Sequence, residues 1–352
     1  MTGQNGRVAA GSREDRRTFL QRLARLCLPT AALILAGCDG KPGPPSPRIG
    51  YLDSGSPGSR PAELSAFRDQ LRQLGYLEGQ TIAIEYGYAD GDASRLAQKA
   101  ADLARLDLAA IVAFGTQAIQ AARDATEGSA TPIIMASSSD PVGSGLVDSL
   151  ARPGGRITGL TSNAPQLTGK RLQLLREAYP HAFRVGYFWD STNPGDREEQ
   201  ARLEAAAQTL AVKLIPLDVQ GSARGIRAAC SKAVDERSEA LITFASGIIN
   251  NNPEPIVGCA EERGLPAIYA QRDFVTEHGG LMAYGPSYPD MYRRAAVFLD
   301  KVLKGAKPAL LPVEKPARFM LVVNMEAAQL LRFDIPRSIL VQVDEVVYGA
   351  SR

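Results

Sequence analysis

Residues 48–58, RIGYLDSGSPG, and residues 184–195, RVGYFWDSTNPG, are nearly the same sentence written twice. They align with a single insertion, Trp189, and their first residues stand 136 positions apart, about the length of one α/β lobe. Each copy opens an alternation of short β-rich runs and amphipathic stretches, the pattern of a parallel sheet covered by helices on both faces. In the first series, strands are predicted over 48–52, 81–88, 109–115 and 132–138, with helices over 61–75, 93–106, 116–126 and 142–150. Pro61 and Gly75 punctuate the first of these helices at its two ends. In the second series, strands are predicted near 184–189, 213–219, 239–245 and 266–270, and helices near 167–178, 195–210, 222–237 and 253–263.

The remaining C-terminal segment does not make a third lobe. GGLMAYGPS (279–287) reads as a crossing strand, 288–304 as a helix ending at Gly305, RFMLVVN (318–324) as another strand, and the end as a short helix. Such a tail fits a chain that returns to the first lobe and crosses once more. The expected fold is therefore α/β, with two Rossmann-like doubly wound lobes joined by several crossings. Lobe 1 is assigned 48–160 plus 284–316, and lobe 2 is assigned 161–283 plus 317–352.

Ahead of the repeat lies a segment of different character. Arg13, Arg16, Arg17, Arg22 and Arg25 precede an apolar run, roughly 26–35, and then Ala36, Gly37 and Cys38. That layout is secretory, and the run is too short for a mature membrane helix. DRRTFLQ (15–21) resembles a twin-arginine export signal, with ordinary secretion as the alternative. LAGC (35–38) resembles the lipobox of bacterial lipoproteins, which implies cleavage before Cys38 and acylation of its sulfur. Residues 1–37 are then a signal peptide, and 38–47, rich in Pro and Gly, a tether between anchor and body.

The whole chain of 352 residues carries a net charge of +2. Six arginines against Glu14 and Asp15 put a net +4 in residues 1–37, so the remaining 315 residues are close to −2. No basic stripe survives, which argues against nucleic acid as a partner. His181 and His278 are the only histidines and neither has ligand spacing, so no metal site is expected. Neither a cofactor motif nor a nucleophile–base pair can be assembled, and no catalytic residue is assigned. Cys230 and Cys259 fall in helices of consecutive units, as a disulfide or as two buried thiols.

In open α/β sheets a ligand binds beyond the C-terminal strand edges. The segments predicted there are DSGSPG (53–58), FGTQA (114–118) and SSSDPVGSG (137–145) in the first lobe, and WDSTNPG (189–195), SGIINNN (246–252) and AQRDF (270–274) in the second. Hydroxyls and free amides at helix N-termini suit a carboxylate or similar anion; the same residues also serve as ordinary caps. The candidates are Ser54, Gly55, Thr116, Ser138, Ser139, Asp140, Asp190, Asn193, Ser246 and Asp273. Asp140 doubles as a helix cap; Asp190 occupies the repeat position of Asp53, with capping or turn closure as the alternative for both. Asp273 is the preferred partner for a ligand ammonium, with an ion pair to Arg272 or another neighbour as the alternative. Trp189, Phe274 and Tyr284 could face an apolar ligand group, with plain core packing as the alternative.

SSSDPVGSGLVDSLARPGGRITGLT (137–161), YAQRDFVTEHGGLMAYGPSYPDMYRRAAVFLDKVLKGAKPALLPVEKP (269–316) and VVNMEAAQLLRFDIP (322–336) resemble the ABC-transporter substrate-binding proteins whose better-known members bind tryptophan or tyrosine. The resemblance implies a type I periplasmic binding fold with three hinge crossings. It implies Thr116, Ser138 and Ser139 as carboxylate contacts, and Asn193, Ser246 and Asp273 as contacts from the second lobe. SGIINNNPEP (246–255) matches no specificity, so an aromatic ligand is not carried over. The expected protein is a monomeric, lipid-anchored, extracytoplasmic carrier of a small polar ligand to an ABC permease, without cofactor or enzymatic activity. A ligand-sensing lipoprotein uncoupled from transport is the alternative.

Overall fold

The computed structural model describes residues 46–349; the predicted leader, most of the tether and Cys38 lie outside them. The first sheet is built from β1 (Arg48–Asp53), β2 (Ala83–Tyr88), β3 (Ala110–Phe114), β4 (Ile133–Ser138) and β5 (Ile157–Thr161). All pair in parallel, in the order β2-β1-β3-β4-β5. Helices α1 (Pro61–Gln73), α2 (Ala93–Ala104) and α3 (Thr116–Ala125) connect the strands.

The chain then passes through Ser162 and Asn163 into α4 (Ala164–Ala178), followed by β6 (Arg184–Trp189), α5 (Pro194–Thr209), β7 (Lys213–Asp218), α6 (Ala223–Asp235) and β8 (Ala240–Thr243). Next come α7 (Gly247–Asn250), α8 (Pro253–Glu262), β9 (Ala267–Tyr269), α9 (Asp273–Thr276) and β10 (Met282–Pro286). Within the second sheet the order β7-β6-β8-β9-β10 repeats that of the first, strand for strand. The sequence repeat is thus a repeat of position: Gly50 in β1 and Gly186 in β6 each face leucines so closely that a Cβ would sit 3.1 Å and 2.8 Å from a leucine methyl. Tyr51 and Tyr187 follow, both buried.

From β10 the chain enters α10 (Tyr288–Leu303), which packs on α1 and on β3, β4 and β5 of the first sheet. After a 3₁₀ turn at Pro308–Leu310, Glu314 bridges to Leu160. The chain then enters β11 (Phe319–Asn324), antiparallel to β10, and continues through α11 (Met325–Leu330) and α12 (Arg337–Leu340) to β12 (Glu345–Val347). Three passages therefore connect the lobes, at 162–163, 287 and 311–318. Apolar residues fill both faces of each sheet, as parallel sheets require.

Several expectations change. The helix expected over 142–150 is a run of turns; Gly143 and Gly145 interrupt it, and Gly145 takes φ +65°, a conformation that a helix cannot contain. The return to the first lobe falls at 287, not 284, because β10, which pairs with β9 at Met282 and Ala283, stays paired with β11 through Pro286. One short final helix becomes two, followed by β12. Of the two alternatives left open for Cys230 and Cys259, the structure has free thiols, Cys259 buried and Cys230 half-buried.

Candidate functional site

The strand tips of both lobes face one another, and their loops meet. The third helix decides the chemistry there. Gly115, at φ +83°, turns the chain from β3 into α3 in a conformation that side chains resist. As N-cap, Gly115 offers no side chain, so the first turn of this ten-residue helix is uncapped. Its amides therefore point at the inter-lobe space without intrahelical partners. Thr116 Oγ1 lies 3.0 Å from Ser139 Oγ and 3.4 Å from Ser138 Oγ.

A narrow cavity of about 20 Å³ remains between the lobes, bordered by Ser54, Phe114, Thr116 and Ser139 from the first and Asn193 and Gly247 from the second. That volume suits about one water. An amino-acid-sized ligand requires the lobes to move apart before it enters. Direct contacts hold them together: Arg60 Nη2 donates to Asn251 Oδ1 (2.6 Å), and Gln117 Nε2 donates to Asp190 Oδ2 (3.3 Å) and Thr192 Oγ1 (3.4 Å). Two glycines permit this approach. A Cβ on Gly247 would fall 2.8 Å from Ser54 Oγ, and one on Gly195 would fall 3.0 Å from Thr116 Oγ1 while colliding with Ser139 Oγ.

Of the candidates, Ser54, Thr116, Ser139 and Asn193 border this cavity. Asn193 also caps α5, accepting from the Gly195 amide and donating to Asp196. Gly55 sits beside it, donating its amide to Asp53 Oδ1 at 2.7 Å and packing near Arg60 and Asn251. Ser246, at the start of α7, is buried, and its hydroxyl has no hydrogen-bond partner. Asp273 borders a wider outer compartment of the same cleft.

Others point elsewhere. Ser138 is fully buried between Ser137 and Ser139, which line the cavity on either side of it; alternate residues of a strand face opposite ways. Asp140 closes a turn, accepting from the amides of Val142 and Gly143. Asp190 accepts from the Thr192 amide and hydroxyl as well as Gln117, so it shapes its loop and the lobe contact. Tyr284 lies within β10 with its ring 6.3 Å from Phe319, and its carbonyl is engaged by Arg171 Nε at 3.0 Å. Trp189, half-buried, packs on Tyr187 at the edge of the second-lobe core, and Phe274 stacks on Tyr269 within it.

Two aromatic walls come from outside the predicted apolar trio: Phe114, closing β3, and Tyr288, opening α10, whose rings meet edge to face at 6.0 Å. Arg60 lies over Phe114 at 4.2 Å and pairs with buried Asp53 at 2.5 Å. A Pro following the basic residue is the only sequence mark of this pair. Beneath the cleft, Arg171 and Glu199 form a buried ion pair at 2.9 Å. Nearby Asp196 is held well above the ordinary carboxylate range, chiefly by burial and then by Glu199.

A two-lobed α/β body whose strand tips border a closing cleft defines a solute-binding fold of the type I periplasmic class. A family model described as ABC transporter substrate binding protein matches residues 56–347, and the chain belongs to that family. It is 25% identical over 265 residues, 75% of each chain, to a tyrosine-binding protein of Clostridioides difficile. Among solved structures, a domain from Streptococcus pneumonia in complex with L-Trp superposes with TM-score 0.77 at 25% identity, over 85% of this chain and all of that one. A conserved domain protein from Vibrio cholerae gives TM-score 0.80 at 23% identity, over 86% and 99%. A ligand-free, open substrate-binding protein from Clostridium difficile gives 0.59 at 21% identity, over 86% and 100%.

Proposed function

We propose that this protein captures a small amino-acid-like solute between its lobes outside the cytoplasm and delivers it to an ABC permease, held to the membrane by a lipid on Cys38. The observation that carries the reading is the uncapped N-terminus of α3, which borders the inter-lobe cavity where the Thr116 hydroxyl meets that of Ser139 at 3.0 Å. Helix N-termini of this kind favour a carboxylate, through free N–H groups and the helix dipole. Asp273 supplies a carboxylate from the other lobe for an ammonium. A ligand that touches both lobes stabilises the closed arrangement by contacts unavailable in the open one. The protein performs no catalysis and works as a monomer.

Relatives that bind tyrosine and L-Trp make aromatic amino acids the first solutes to test. No helix among the described residues is long and apolar enough to cross a membrane. Thermal shift and X-ray scattering on the purified protein, against a panel of amino acids and amines, test the reading. A bound solute raises Tm by mass action and holds the protein compact, and Thr116→Ala with Ser139→Ala weakens a carboxylate-bearing solute at least tenfold. A panel without any response rejects the reading. Cys38→Ser is expected to release the protein from the membrane fraction.

A further inference from the structure

Outward from the deep cavity the cleft widens into a compartment of about 360 Å³, bordered by Arg60 and Glu63 of the first lobe and Asn251, Glu254, Asp273 and Glu277 of the second. Glu63 and Asp273 also both border the adjoining space of about 320 Å³ toward the crossing at Ser287. Carboxylates therefore face each other from opposite lobes. The arginines nearby are engaged: Arg60 holds Asp53 and Asn251, Arg272 is bound by Glu345 at 2.6 and 2.7 Å, and Arg293 and Arg318, which border the smaller space, pair with Asp290. His278 borders the larger compartment beside Asp273.

Glu63 is the anomaly. Its side chain is 3% exposed, yet Oε2 has no hydrogen-bond partner. Burial, and next the charge of Asp273, push its carboxyl up to about 7. Burial, and next Glu277, also raise Asp273. A buried carboxylate oxygen without a partner is costly, and closing the lobes sets the half-buried carboxyl of Asp273 against it. A positive group between them removes both penalties. Among the described residues no cluster of three metal-ligating side chains exists, so an organic cation fits better than a divalent metal.

We infer that Glu63 is the first-lobe half of a seat for the ligand's ammonium group, with Asp273 as the other half. This rests on the reading of the cleft as the solute site, and adds a specificity-determining residue to it. The seat makes closure depend on ligand charge: a primary amine draws the lobes together, and a neutral analogue leaves two carboxylates opposed.

Calorimetry on the full protein uses three matched pairs that differ by one α-amino group: L-tyrosine and phloretate, L-tryptophan and indolepropionate, L-norleucine and hexanoate. In each pair that binds, the amine-bearing member is expected to bind at least tenfold more tightly. Glu63→Gln is expected to collapse that ratio toward one, as is Asp273→Asn, with circular dichroism confirming that both variants fold. If Asp273→Asn collapses the ratio and Glu63→Gln does not, the inference about Glu63 falls while the solute-binding reading stands. If the amine-free members bind as tightly as the amines, the inference falls likewise. If none of the six compounds binds, the inference is overturned, and the wider panel decides separately on the reading itself.

Discussion

Arg60 and Asn251 meet across the cleft at 2.6 Å, a direct polar contact between the lobes. Arg60 reaches Asn251 from a fixed base, because its other nitrogen pairs with buried Asp53 and its plane lies on Phe114. A hydrogen bond to a charged donor contributes about 1.5–3 kcal/mol. Asn251→Ala removes it without disturbing the Asp53 pair, so the lobes should open more readily. Scattering is expected to report a larger radius of gyration for the ligand-free variant, with an unchanged circular dichroism spectrum. An unaltered scattering curve would show that the contact does not hold the lobes.

Closure also depends on an absent side chain. Gly195 meets Ser139 and Thr116 of the opposite lobe where a Cβ has no room. Gly195→Val leaves each lobe's own packing intact and wedges the cleft. Solute affinity is expected to fall more than a hundredfold by calorimetry, with Tm of the ligand-free protein within about 2 °C of wild type, as suits a change costing under about 1 kcal/mol. Equal loss of Tm and affinity would mean that the residue supports folding instead.

Much of this architecture is legible from residue order. Strand runs of Val, Ile and Ala and the duplicated Gly-Tyr motif reveal the two sheets, because period and repeat survive without coordinates. The loops are legible for the same reason, and Ser54, Thr116, Ser139 and Asn193 do border the cavity. Direction is not legible. Ser138 and Ser139 are equivalent as letters, but Ser139, just past the end of β4, lines the cavity, whereas Ser138, the last residue of β4, is fully buried behind Thr116. Tyr284 departs from expectation because its strand pairs with β11, more than 30 residues later in the chain, through a contact that local pattern cannot carry. Glu63 is invisible as a site residue, since an acid in the first turn of a helix is ordinary helix chemistry. Only the apposition of the second lobe makes it unusual.

Beneath the cleft, Arg171 anchors three elements: it pairs with Glu199 on α5, and donates to the carbonyls of Thr243 at the end of β8 and Tyr284 in β10. Removing one partner of a buried pair leaves a bare charge, at about 3–5 kcal/mol. Arg171→Met should therefore lower Tm by roughly 6 °C or more, while Arg171→Met with Glu199→Gln should recover part of the loss. A double variant no better than the single would place the cost in the carbonyl contacts rather than the charge.

Glu63 makes a final prediction about pH. Its carboxyl sits near 7 in the folded protein against an ordinary 4.5, so the folded state holds its proton over a range where the unfolded chain has released it. The stability this gives is fully present below about 4.5 and is lost as pH rises through 7. The difference corresponds to roughly 3 kcal/mol at most. Asp273, Glu277 and Arg60 face the same group; Asp273 is shifted in the same sense, and Arg60 stays charged throughout. Comparing wild type with Glu63→Gln isolates the single carboxyl from these neighbours. Between about pH 5 and 8 the wild-type Tm is expected to fall several degrees further than that of Glu63→Gln. A saturating amine ligand should shrink the gap, since an ammonium beside Glu63 favours its ionised form. Parallel Tm curves for the two proteins would show that Glu63 ionises freely in the folded state and that no such penalty is stored in the cleft.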